Sequence, residues 1–530
     1  MDSHTIRILL NGEAVEAAGL PPTTSLLTWL RTQRGLTGSK EGCAEGDCGA
    51  CTVVVGELRG TEQALHLTSV NACIQFLPAL DGKAVFTVEY LRAQAGGALH
   101  PVQQAMVDCH GSQCGFCTPG FVMSLWDLYN DFVPAPATAP MAERPSPAAV
   151  RSALTGNLCR CTGYRPILEA GERMFELPAV ALERTAIRQA LLVLQREDVL
   201  DYRHAGRHFL APRSVDELAA LRATRPQAVL LAGCTDIGLW VNKQLRELGD
   251  ILYLGRVEAL RTIDETEGWL HIGAAVTLTE AFAALTRAWP ELAELWERFA
   301  SPPVRNAGTL GGNVANGSPI GDSMPALIAI GARVVLRSVR GARELALEDF
   351  YLDYMNKDLA ADEFVETVKV PLRPGAVRAA PGDSSPHASA ATDKGKREGA
   401  LHFRCWKLSK RFDSDISALC ATFAIRVRDG IVVAARVAFG GMAATPRRAA
   451  QTEAALLGQP WDAATLARAQ AALAADYTPL DDLRASAAYR RRAAANLLQR
   501  FHLETRPEAP LPAQQTRAFA GVADKREAIR

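Results

Sequence analysis

The chain contains 530 residues, of which 48% are hydrophobic and 22% are charged, a composition typical of globular proteins and a length sufficient for several domains. Lys plus Arg equals Asp plus Glu at 58 each, so the formal net charge is zero, which excludes a field that would attract nucleic acid or an anionic membrane. The N-terminus lacks a signal-peptide pattern, and no apolar run reaches the ~18 residues of a membrane span. We therefore expect a soluble, cytoplasmic protein.

Twelve cysteines are present, and nine of them lie before residue 162. In the reducing cytoplasm, thiols are more often metal ligands or small apolar core groups than disulfides. The uneven distribution therefore predicts metal sites in the N-terminal part of the chain.

The first predicted domain covers residues 1–92. Residues 5–15, TIRILLNGEAV, alternate in polarity around Asn11-Gly12 and predict a β-hairpin, and a helix capped by Thr24 or Ser25 follows. A glycine-rich loop, EGCAEGDCGACTV at 41–53, precedes further strands. The pattern predicts a small sheet domain with one helix and one long metal loop.

The glycine-rich loop supplies three cysteines spaced C-x4-C-x2-C, and a fourth follows in a separate segment: Cys43, Cys48, Cys51 and Cys73. This spacing is typical of a plant-type [2Fe-2S] cluster. Three glycines of the loop, Gly42, Gly46 and Gly49, permit backbone N–H groups to turn toward anionic sulfurs. A structural zinc site is the alternative, although zinc ligands usually come as two close C-x2-C pairs.

Residues 93–178 form the second predicted domain, with four short helices and a proline-rich loop at 133–147. It carries two further cysteine pairs, one C-x2-C and one C-x-C: Cys114 with Cys117, and Cys159 with Cys161. A C-x2-C pair alone also fits a thioredoxin-like dithiol or half a zinc site. The C-x-C pair precedes a helix that begins near Arg165-Pro166, and the N-terminus of that helix would face an anionic cluster. Cys109 is expected to be a buried thiol rather than a ligand.

A linker at 179–206 leads to a third predicted domain, 207–374, in which short apolar strands alternate with helices. Its segment 230–240, LLAGCTDIGLW, indicates a strand, a turn at Gly233 and a helix, which together would offer free N–H groups to a pyrophosphate. The segment does not match G-x-G-x-x-G, so a nicotinamide-binding Rossmann fold is not favoured.

The segment 304–332, VRNAGTLGGNVANGSPIGDSMPALIAIGA, is a more specific signal. Its glycines would permit close backbone approach to a ligand: Gly308, Gly311 and Gly312. Thr309 and Asn313 offer hydrogen bonds, and Asp322 can accept one from a ribitol or ribose hydroxyl. A structural glycine turn is the alternative.

The rest of the chain comprises an insertion at 375–400, a fourth domain at 401–510 and a polar tail at 511–530. The insertion is poor in large apolar residues and is predicted to be a flexible surface segment. The fourth domain begins with strands and ends in alanine-rich helices.

The strings GSQCGFCTPG and TGNLCRCTGYRPI, with the loop at 41–53, resemble the iron–sulfur portion of the molybdenum hydroxylases, the family that contains xanthine dehydrogenase and aldehyde oxidase. Segments 230–240 and 304–332 resemble the FAD domain of that family, and residues 407–427 resemble the domain that follows it. The resemblance implies a multidomain α+β chain: a β-grasp ferredoxin-like [2Fe-2S] domain, a four-helix [2Fe-2S] domain, an α+β FAD-binding domain and a C-terminal α+β flavoprotein domain.

The same resemblance assigns the site residues. The first cluster would be held by Cys43, Cys48, Cys51 and Cys73, and the second by Cys114, Cys117, Cys159 and Cys161. Gln113 would contact the pterin of a molybdenum cofactor on a partner. The residues expected to bind FAD are Leu231, Ala232, Gly233, Cys234, Thr235, Asp236, Ile237, Thr309, Gly312, Asn313 and Asp322, with Phe299 beside the isoalloxazine ring.

One position departs from the family pattern G-G-T-[DE], because Cys234 stands where the second glycine is usual. We expect a backbone conformation at Cys234 that does not need a positive φ, so that a small thiol is tolerated. We also expect a buried bystander rather than a redox-sensitive thiol.

The family's molybdopterin-binding half has no counterpart in the sequence, so the resemblance implies an electron-transfer subunit with no general base for hydroxylation. A large molybdopterin-binding partner would complete it, in an (αβ)2 assembly. Electrons would pass through the two clusters to FAD and then to NAD+.

Clusters and flavin on one chain are most similar to the small subunits of bacterial xanthine dehydrogenases, which oxidise hypoxanthine and xanthine to urate. Three alternatives stay open: a small subunit for aldehydes or N-heterocycles, a free-standing flavin reductase, and a metal-binding scaffold.

Overall fold

The structure is a computed structural model that describes residues 4–133, 144–373 and 399–516. The expected proline-rich loop at 133–147, the insertion at 375–400 and the tail at 511–530 fall mostly outside the described residues. Within those ranges, no helix is long and apolar enough to cross a membrane.

The N-terminal domain is a five-stranded mixed sheet with a helix packed against one face. Its elements are β1 Ile6–Leu10, β2 Glu13–Ala17, α1 Leu26–Thr32, β3 Thr52–Arg59, β4 Ala64–Asn71, a 3-10 helix at Leu77–Leu80 and β5 Ala84–Phe86. The strand order is β2-β1-β5-β3-β4, with β1 parallel to β5 and antiparallel to β2. Ser25 caps α1, because its hydroxyl accepts a hydrogen bond from the N–H of Thr28 at 3.0 Å. The predicted hairpin and helix are confirmed.

Both faces of this sheet are buried, against different partners. Successive side chains of a strand point to opposite faces, so Ile8 and Val53 join one apolar core while Leu9 and Val54 join another. The first core includes Tyr202 of the third domain, and the second includes side chains of the helical domain. The sheet is therefore the layer that holds the helical domain and the third domain in a fixed relation.

The second domain is helical. Its helices are α2 Val88–Gln94, α3 Pro101–Asp108, α4 Thr118–Phe132, α5 Pro147–Ala153 and α6 Arg165–Arg173, and α7 Arg184–Leu194 follows in the linker. Helix α4 buries Phe121 and Trp126 in the core that it shares with the N-terminal sheet. This packing fixes the cysteines at the ends of α4 and α6 next to the first metal loop.

The third domain contains two sheets and a hairpin. Its strands are β6 Leu200–His204, β7 Arg207–Ala211, β8 Val229–Leu231, β9 Ile251–Tyr253, β10 Ile263–Thr266, β11 Trp269–Gly273, β12 Arg333–Ser338, β13 Gly341–Ala346, β14 Tyr351–Asp353, β15 Asn356–Lys357 and β16 Phe364–Pro371. Strand orders are β6-β7-β9-β8 and β10-β11-β16-β12-β13, and β14 pairs with β15.

Short helices connect these strands: α8 Val215–Thr224, α9 Ile237–Asn242, α10 Leu278–Ala288, α11 Ala293–Arg298, α12 Pro302–Ala307, α13 Leu310–Asn316, α14 Ser323–Ile330 and α15 Leu347–Phe350, with 3-10 helices at Leu254–Arg256, Glu258–Arg261 and Pro290–Leu292. The first sheet begins earlier than the predicted boundary at residue 207. Strand β6 lies inside the segment 179–206 that was expected to be a linker, because it pairs with β7 around the positive-φ turn at Ala205 and Gly206.

The C-terminal domain is an antiparallel sheet between two helical layers. Its elements are β17 Ala400–Leu408, β18 Leu419–Arg428, β19 Ile431–Gly440, β20 Arg447–Arg448, α16 Ala450–Leu456, α17 Ala463–Asp476, α18 Ala487–Thr505 and α19 Ala513–Thr516. One face of the sheet shares a core with α14 of the third domain, and the other packs on α17 and α18. Residues of β17 are thereby brought to the start of α14.

Candidate cofactor sites

The first cysteine quartet lies where the loop between α1 and β3 meets the end of β4, and it consists of Cys43, Cys48, Cys51 and Cys73. The thiol of Cys43 is hydrogen bonded to those of Cys48 and Cys73, and the thiol of Cys51 is hydrogen bonded to that of Cys73. The four predicted ligands are therefore brought into one group.

These contacts shift the pKa values of the four thiols. Hydrogen bonds from Cys48 and Cys73 lower the pKa of Cys43, and one from Cys73 lowers the pKa of Cys51. The same contacts raise the pKa of Cys48 and of Cys73. Metal binding requires all four groups as thiolates.

The donor set fits a [2Fe-2S] group by its chemistry. Hydrogen bonds join the four thiols in one series, from Cys48 through Cys43 and Cys73 to Cys51. Four thiolates are the ligand set of a plant-type [2Fe-2S] cluster.

The loop backbone also fits an anionic sulfur site. Backbone N–H groups of Glu45 and Cys48 donate to the Cys43 sulfur, each at 3.4 Å. Gly49 has a φ of +68°, and a Cβ there would lie 2.2 Å from the carbonyl oxygen of Gly156. Only glycine can occupy this position without moving the backbone of the helical domain.

The second quartet lies at the surface of the helical domain, between the start of α4 and the start of α6. Its thiols form two hydrogen-bonded pairs, Cys117 with Cys159 and Cys114 with Cys161. Burial, with the contact to Cys159, raises the pKa of Cys117 to about 12. Cys114 and Cys161 are exposed, and Gln113 beside them is exposed as well. Cys109 is half-buried at the end of α3.

The two quartets are joined by direct backbone contacts. The N–H of Leu158, which precedes Cys159, donates to the carbonyl oxygen of Cys48 at 3.0 Å. The side-chain amide of Asn157 donates to the carbonyl oxygen of Gly49 at 3.1 Å. Cys48, a predicted ligand of the first cluster, is therefore hydrogen bonded to the residue that precedes Cys159, a predicted ligand of the second.

The first quartet is joined in turn to the third domain. The side-chain amide of Asn242, at the end of α9, donates to the carbonyl oxygens of Cys73 at 2.8 Å and Ala44 at 3.1 Å. Gln75 donates through its side-chain amide to the carbonyl oxygen of Gly233 at 3.2 Å. Asn242 thus holds the two segments that carry the predicted ligands of the first cluster against the helix that follows the turn at residues 231–237.

A cavity of about 560 Å³, named the flavin cavity after the cofactor that the sequence predicts, opens beside this turn, and its size is in the range of small-molecule and cofactor sites. It is lined by the predicted FAD residues Ala232, Gly233, Cys234, Thr235, Asp236, Ile237, Phe299, Thr309, Gly312, Asn313 and Asp322. Leu231 is fully buried in the core behind β8 and does not line it. The walls combine apolar side chains with backbone and side-chain hydrogen-bonding groups, which is the chemistry that a flavin dinucleotide requires.

Close glycine contacts bring the two predicted segments together around the cavity. A Cβ at Gly233 would lie 2.0 Å from the carbonyl oxygen of Ala307, and one at Gly311 would lie 2.4 Å from Cα of Ala274. The hydroxyl of Thr309 accepts from the N–H of Gly312 at 3.0 Å, so it caps α13. These glycines therefore serve loop packing, which in turn shapes the cavity.

The expectation for the backbone at Cys234 is wrong. Its φ is +63°, a left-handed conformation that glycine adopts easily and other residues adopt at a cost. The thiol points into the core and is 3% exposed, and burial raises its pKa to about 12. Cys234 is thus a strained position with a protonated, buried thiol.

Asp322 lines the cavity but is already engaged by two residues of the C-terminal domain. Lys407 donates to its Oδ2 at 2.7 Å, and Ser417 donates to its Oδ1 at 2.5 Å. Lys407 also donates to the hydroxyl of Ser417 at 2.7 Å. These two residues line the cavity and were not predicted, because nothing in the sequence near them indicates a contact with residue 322.

Four family models match consecutive segments of the chain: a 2Fe-2S iron-sulfur cluster binding domain at residues 8–76, a [2Fe-2S] binding domain at 87–172, an FAD binding domain in molybdopterin dehydrogenase at 203–373 and a CO dehydrogenase flavoprotein C-terminal domain at 404–505. Xanthine dehydrogenase of Emericella nidulans is 31% identical over 89% of this chain, and aldehyde oxidase 2 of Cavia porcellus is 30% identical over 88% of it. The chain belongs to the molybdenum hydroxylase family.

This molybdenum hydroxylase chain spans 36% of the length of the Emericella nidulans protein and 37% of the Cavia porcellus protein. Among solved structures, a chain of carbon monoxide dehydrogenase from Hydrogenophaga pseudoflava aligns with 55% of this chain and 94% of its own length, at 27% identity and a TM-score of 0.48. The matched segments correspond to the iron–sulfur and flavin-binding domains of the molybdenum hydroxylases.

Proposed function

We propose that the chain is the electron-transfer component of a xanthine dehydrogenase that oxidises hypoxanthine and xanthine to urate and reduces NAD+. A large molybdopterin-binding subunit would carry the purine chemistry, in an (αβ)2 assembly. Bound to the sites above, two [2Fe-2S] clusters and FAD would supply one-electron and two-electron redox chemistry. The resemblance to xanthine dehydrogenases supports the substrate class.

The observation that carries this proposal is the unbroken contact between the three sites. Leu158 bonds to Cys48, and Asn242 bonds to Cys73 and lies on the helix that borders the flavin cavity. Loops that are hydrogen bonded to one another in this way would keep redox groups at fixed separations. This is the protein's contribution to electron transfer, since the cofactors supply the chemistry.

An exposed apolar rim beside the second quartet supports a partner subunit. Phe116 is 47% exposed, Leu158 39% and Tyr164 37%, and they adjoin the exposed Gln113 and the cysteine pair at its surface. Clustered exposed apolar side chains mark interaction surfaces. The partner's pterin would approach Gln113 at this rim.

A second candidate, an aldehyde-oxidising enzyme, has its own support. Aldehyde oxidase 2 of Cavia porcellus and xanthine dehydrogenase of Emericella nidulans match this chain at nearly equal identity. Because the substrate would bind the partner, both candidates need the same electron-transfer sites on this chain.

The test is substrate-dependent NADH formation by the protein purified with its partner from its native host. The preparation is first assayed for bound FAD and for iron equivalent to two clusters. NADH formed with hypoxanthine and not with an aromatic aldehyde is the expected result, and the reverse pattern supports the second candidate. A fully loaded preparation that reduces an artificial dye but forms no NADH with either substrate would refute NAD+ as acceptor.

A further inference from the structure

Lys357 is a cation at the junction of two cavities. It belongs to β15, the second strand of the β14–β15 hairpin, and it lines the flavin cavity. It also lines a neighbouring depression of about 580 Å³, the outer groove, which is bordered by Ser338, Arg340, Arg343, Leu352, Asp358 and Glu363. A ligand in either space can reach its side chain.

The stem of Lys357 is held against the glycine-rich segment of the flavin cavity. Gly317, which ends α13, has a φ of +62°, and a Cβ there would lie 3.1 Å from Cε of Lys357 and 2.6 Å from Cε1 of Tyr351. The hydroxyl of Tyr351 donates to the carbonyl oxygen of Val314 in α13 at 2.9 Å. The hairpin and α13 therefore form one unit, and the lysine has a defined place at the cavity wall.

The other cations of the two cavities are already neutralised. Lys407 is paired with Asp322 at 2.7 Å, Arg343 is paired with Glu363 at 2.7 Å, and Arg340 is paired with Asp362. Lys357 donates only to the carbonyl oxygen of Met355, at 3.5 Å, and in the described part of the chain it forms no ion pair.

The surroundings of Lys357 compensate its charge only in part. Burial lowers its pKa, and the charge of Asp236, which lines the same cavity, offsets this only in part. Asp236 and Lys357 do not form an ion pair with each other. A half-buried ammonium that forms no ion pair within the described residues gains most from an anionic ligand, and a charge-assisted contact to phosphate is among the strongest hydrogen bonds available.

We propose that Lys357 binds a phosphate group of a dinucleotide. This inference rests on the proposed function, because it takes the cavity to hold FAD. Two sources offer the same pyrophosphate chemistry: FAD in the flavin cavity, and a dinucleotide acceptor in the outer groove. Lys357 borders both spaces, so the source is decided by binding measurements.

The experiment compares three variants of the full chain. Lys357→Met removes the charge and keeps the stem, and Lys357→Arg restores a cation. The matched control is Lys369→Met, which removes an ammonium from β16 that donates to Glu344 at 2.7 Å and lines neither cavity. Circular dichroism verifies that each variant keeps the wild-type fold before binding is measured.

The first arm measures FAD binding to flavin-depleted protein by quenching of flavin fluorescence. Loss of one charge-assisted contact should weaken FAD binding ~10- to 100-fold in Lys357→Met, with recovery in Lys357→Arg and no change in Lys369→Met. The second arm measures binding of NAD+, which carries the same pyrophosphate and does not reduce the flavin, to flavin-saturated protein. If Lys357→Met weakens binding by a similar factor in the second arm only, the phosphate that Lys357 binds belongs to the acceptor in the outer groove.

The two proposals fail in different ways. Wild-type protein that binds no FAD overturns the proposed function and this inference with it. Wild-type protein that binds FAD, with Lys357→Met equal to Lys369→Met in both arms, overturns the role of Lys357 alone.

Discussion

The buried pair of Asp322 and Lys407 gives the sharpest test of how the third and fourth domains are joined. Their side chains are 5% and 2% exposed, and the Nζ–Oδ2 distance is 2.7 Å. Asp322→Ala would leave the ammonium buried with only the Ser417 hydroxyl as a partner. Removing one member of a buried ion pair costs ~3–5 kcal/mol, and the remaining hydroxyl contact places our expectation at the lower end.

The compensating change is Lys407→Met, which keeps the aliphatic stem and removes the charge. In the Asp322→Ala background it should recover stability, because no uncompensated charge is left. We expect the sum of the two single-variant losses in local unfolding free energy to exceed the loss in the double variant by ~2 kcal/mol. This difference lies within the coupling range for residues in contact. Ser417 stays unchanged throughout, so the cycle isolates the ion pair.

The assay is native-state hydrogen exchange of strand β17, residues 400–408, in flavin-depleted protein. Local exchange is preferable to global unfolding because a chain of several domains does not unfold in two states. A loss of ~3 kcal/mol corresponds to exchange ~100-fold faster. Glu344→Ala is the control: its pairing with Lys369 is partly exposed, and exposed pairs contribute ~0–1 kcal/mol. Additive single effects at Asp322 and Lys407 would refute the proposed coupling.

Four further predictions can be checked separately. Cys43→Ala should remove one cluster signal from the electron paramagnetic resonance spectrum and block NAD+ reduction by substrate, while NADH still reduces the flavin. The control Cys109→Ala should keep both cluster signals. NAD+ reduction by substrate at the wild-type rate in Cys43→Ala would contradict electron transfer through this cluster. At Cys234, with its φ of +63°, glycine should be more stable than alanine by ~1 kcal/mol in thermal unfolding; the opposite order would argue against strain. Burial raises the pKa of Asp127 to about 6, so its contribution to stability is present at low pH and is lost as pH rises through 6. The Asp127→Asn variant should therefore be ~3 kcal/mol more stable than wild type at pH 8 and equal to it near pH 3.5. A gain in stability that is the same at both pH values would exclude this cause. Asn242→Ala removes two hydrogen bonds, one to Ala44 in the first metal loop and one to Cys73 after β4, and should speed iron loss to a chelator ~10-fold. Unchanged iron loss would show that Asn242 does not hold these two segments.

Local sequence spacing predicted the C-x4-C-x2-C loop with Cys73, because its first three cysteines are close in the chain. The second quartet joins two pairs that are more than 40 residues apart, Cys114 with Cys117 and Cys159 with Cys161, and only the family resemblance combined them. Local spacing also predicted the glycines around the flavin cavity, which the structure brings to one wall. Lys407 escaped prediction because its contact with Asp322 joins residues that are 85 positions apart and depends on how β17 packs on α14. Lys357 likewise lies on a short hairpin strand with no recognisable pattern.

Two errors have different physical causes. The φ of Cys234 depends on how closely the turn approaches the segment at 307–308, which side-chain identity alone does not reveal. Strand β6 was missed because its five residues carry three polar or charged side chains, and only the pairing with β7 across Ala205 and Gly206 makes them a strand. Both cases show tertiary contact overriding a local preference.

Gly49 lies between two pieces of backbone that belong to the other iron-binding domain. A Cβ at Gly120 would lie 2.1 Å from the Gly49 carbonyl oxygen, and one at Gly49 would lie 2.2 Å from the Gly156 carbonyl oxygen. Neither segment can accept a bulkier neighbour without the other moving, so the two folds do not behave as interchangeable modules. A chimera of two relatives should therefore take residues 8–172 from a single parent. A junction between the two domains would combine contact surfaces from different proteins, and their backbones would not fit at Gly49 and Gly120.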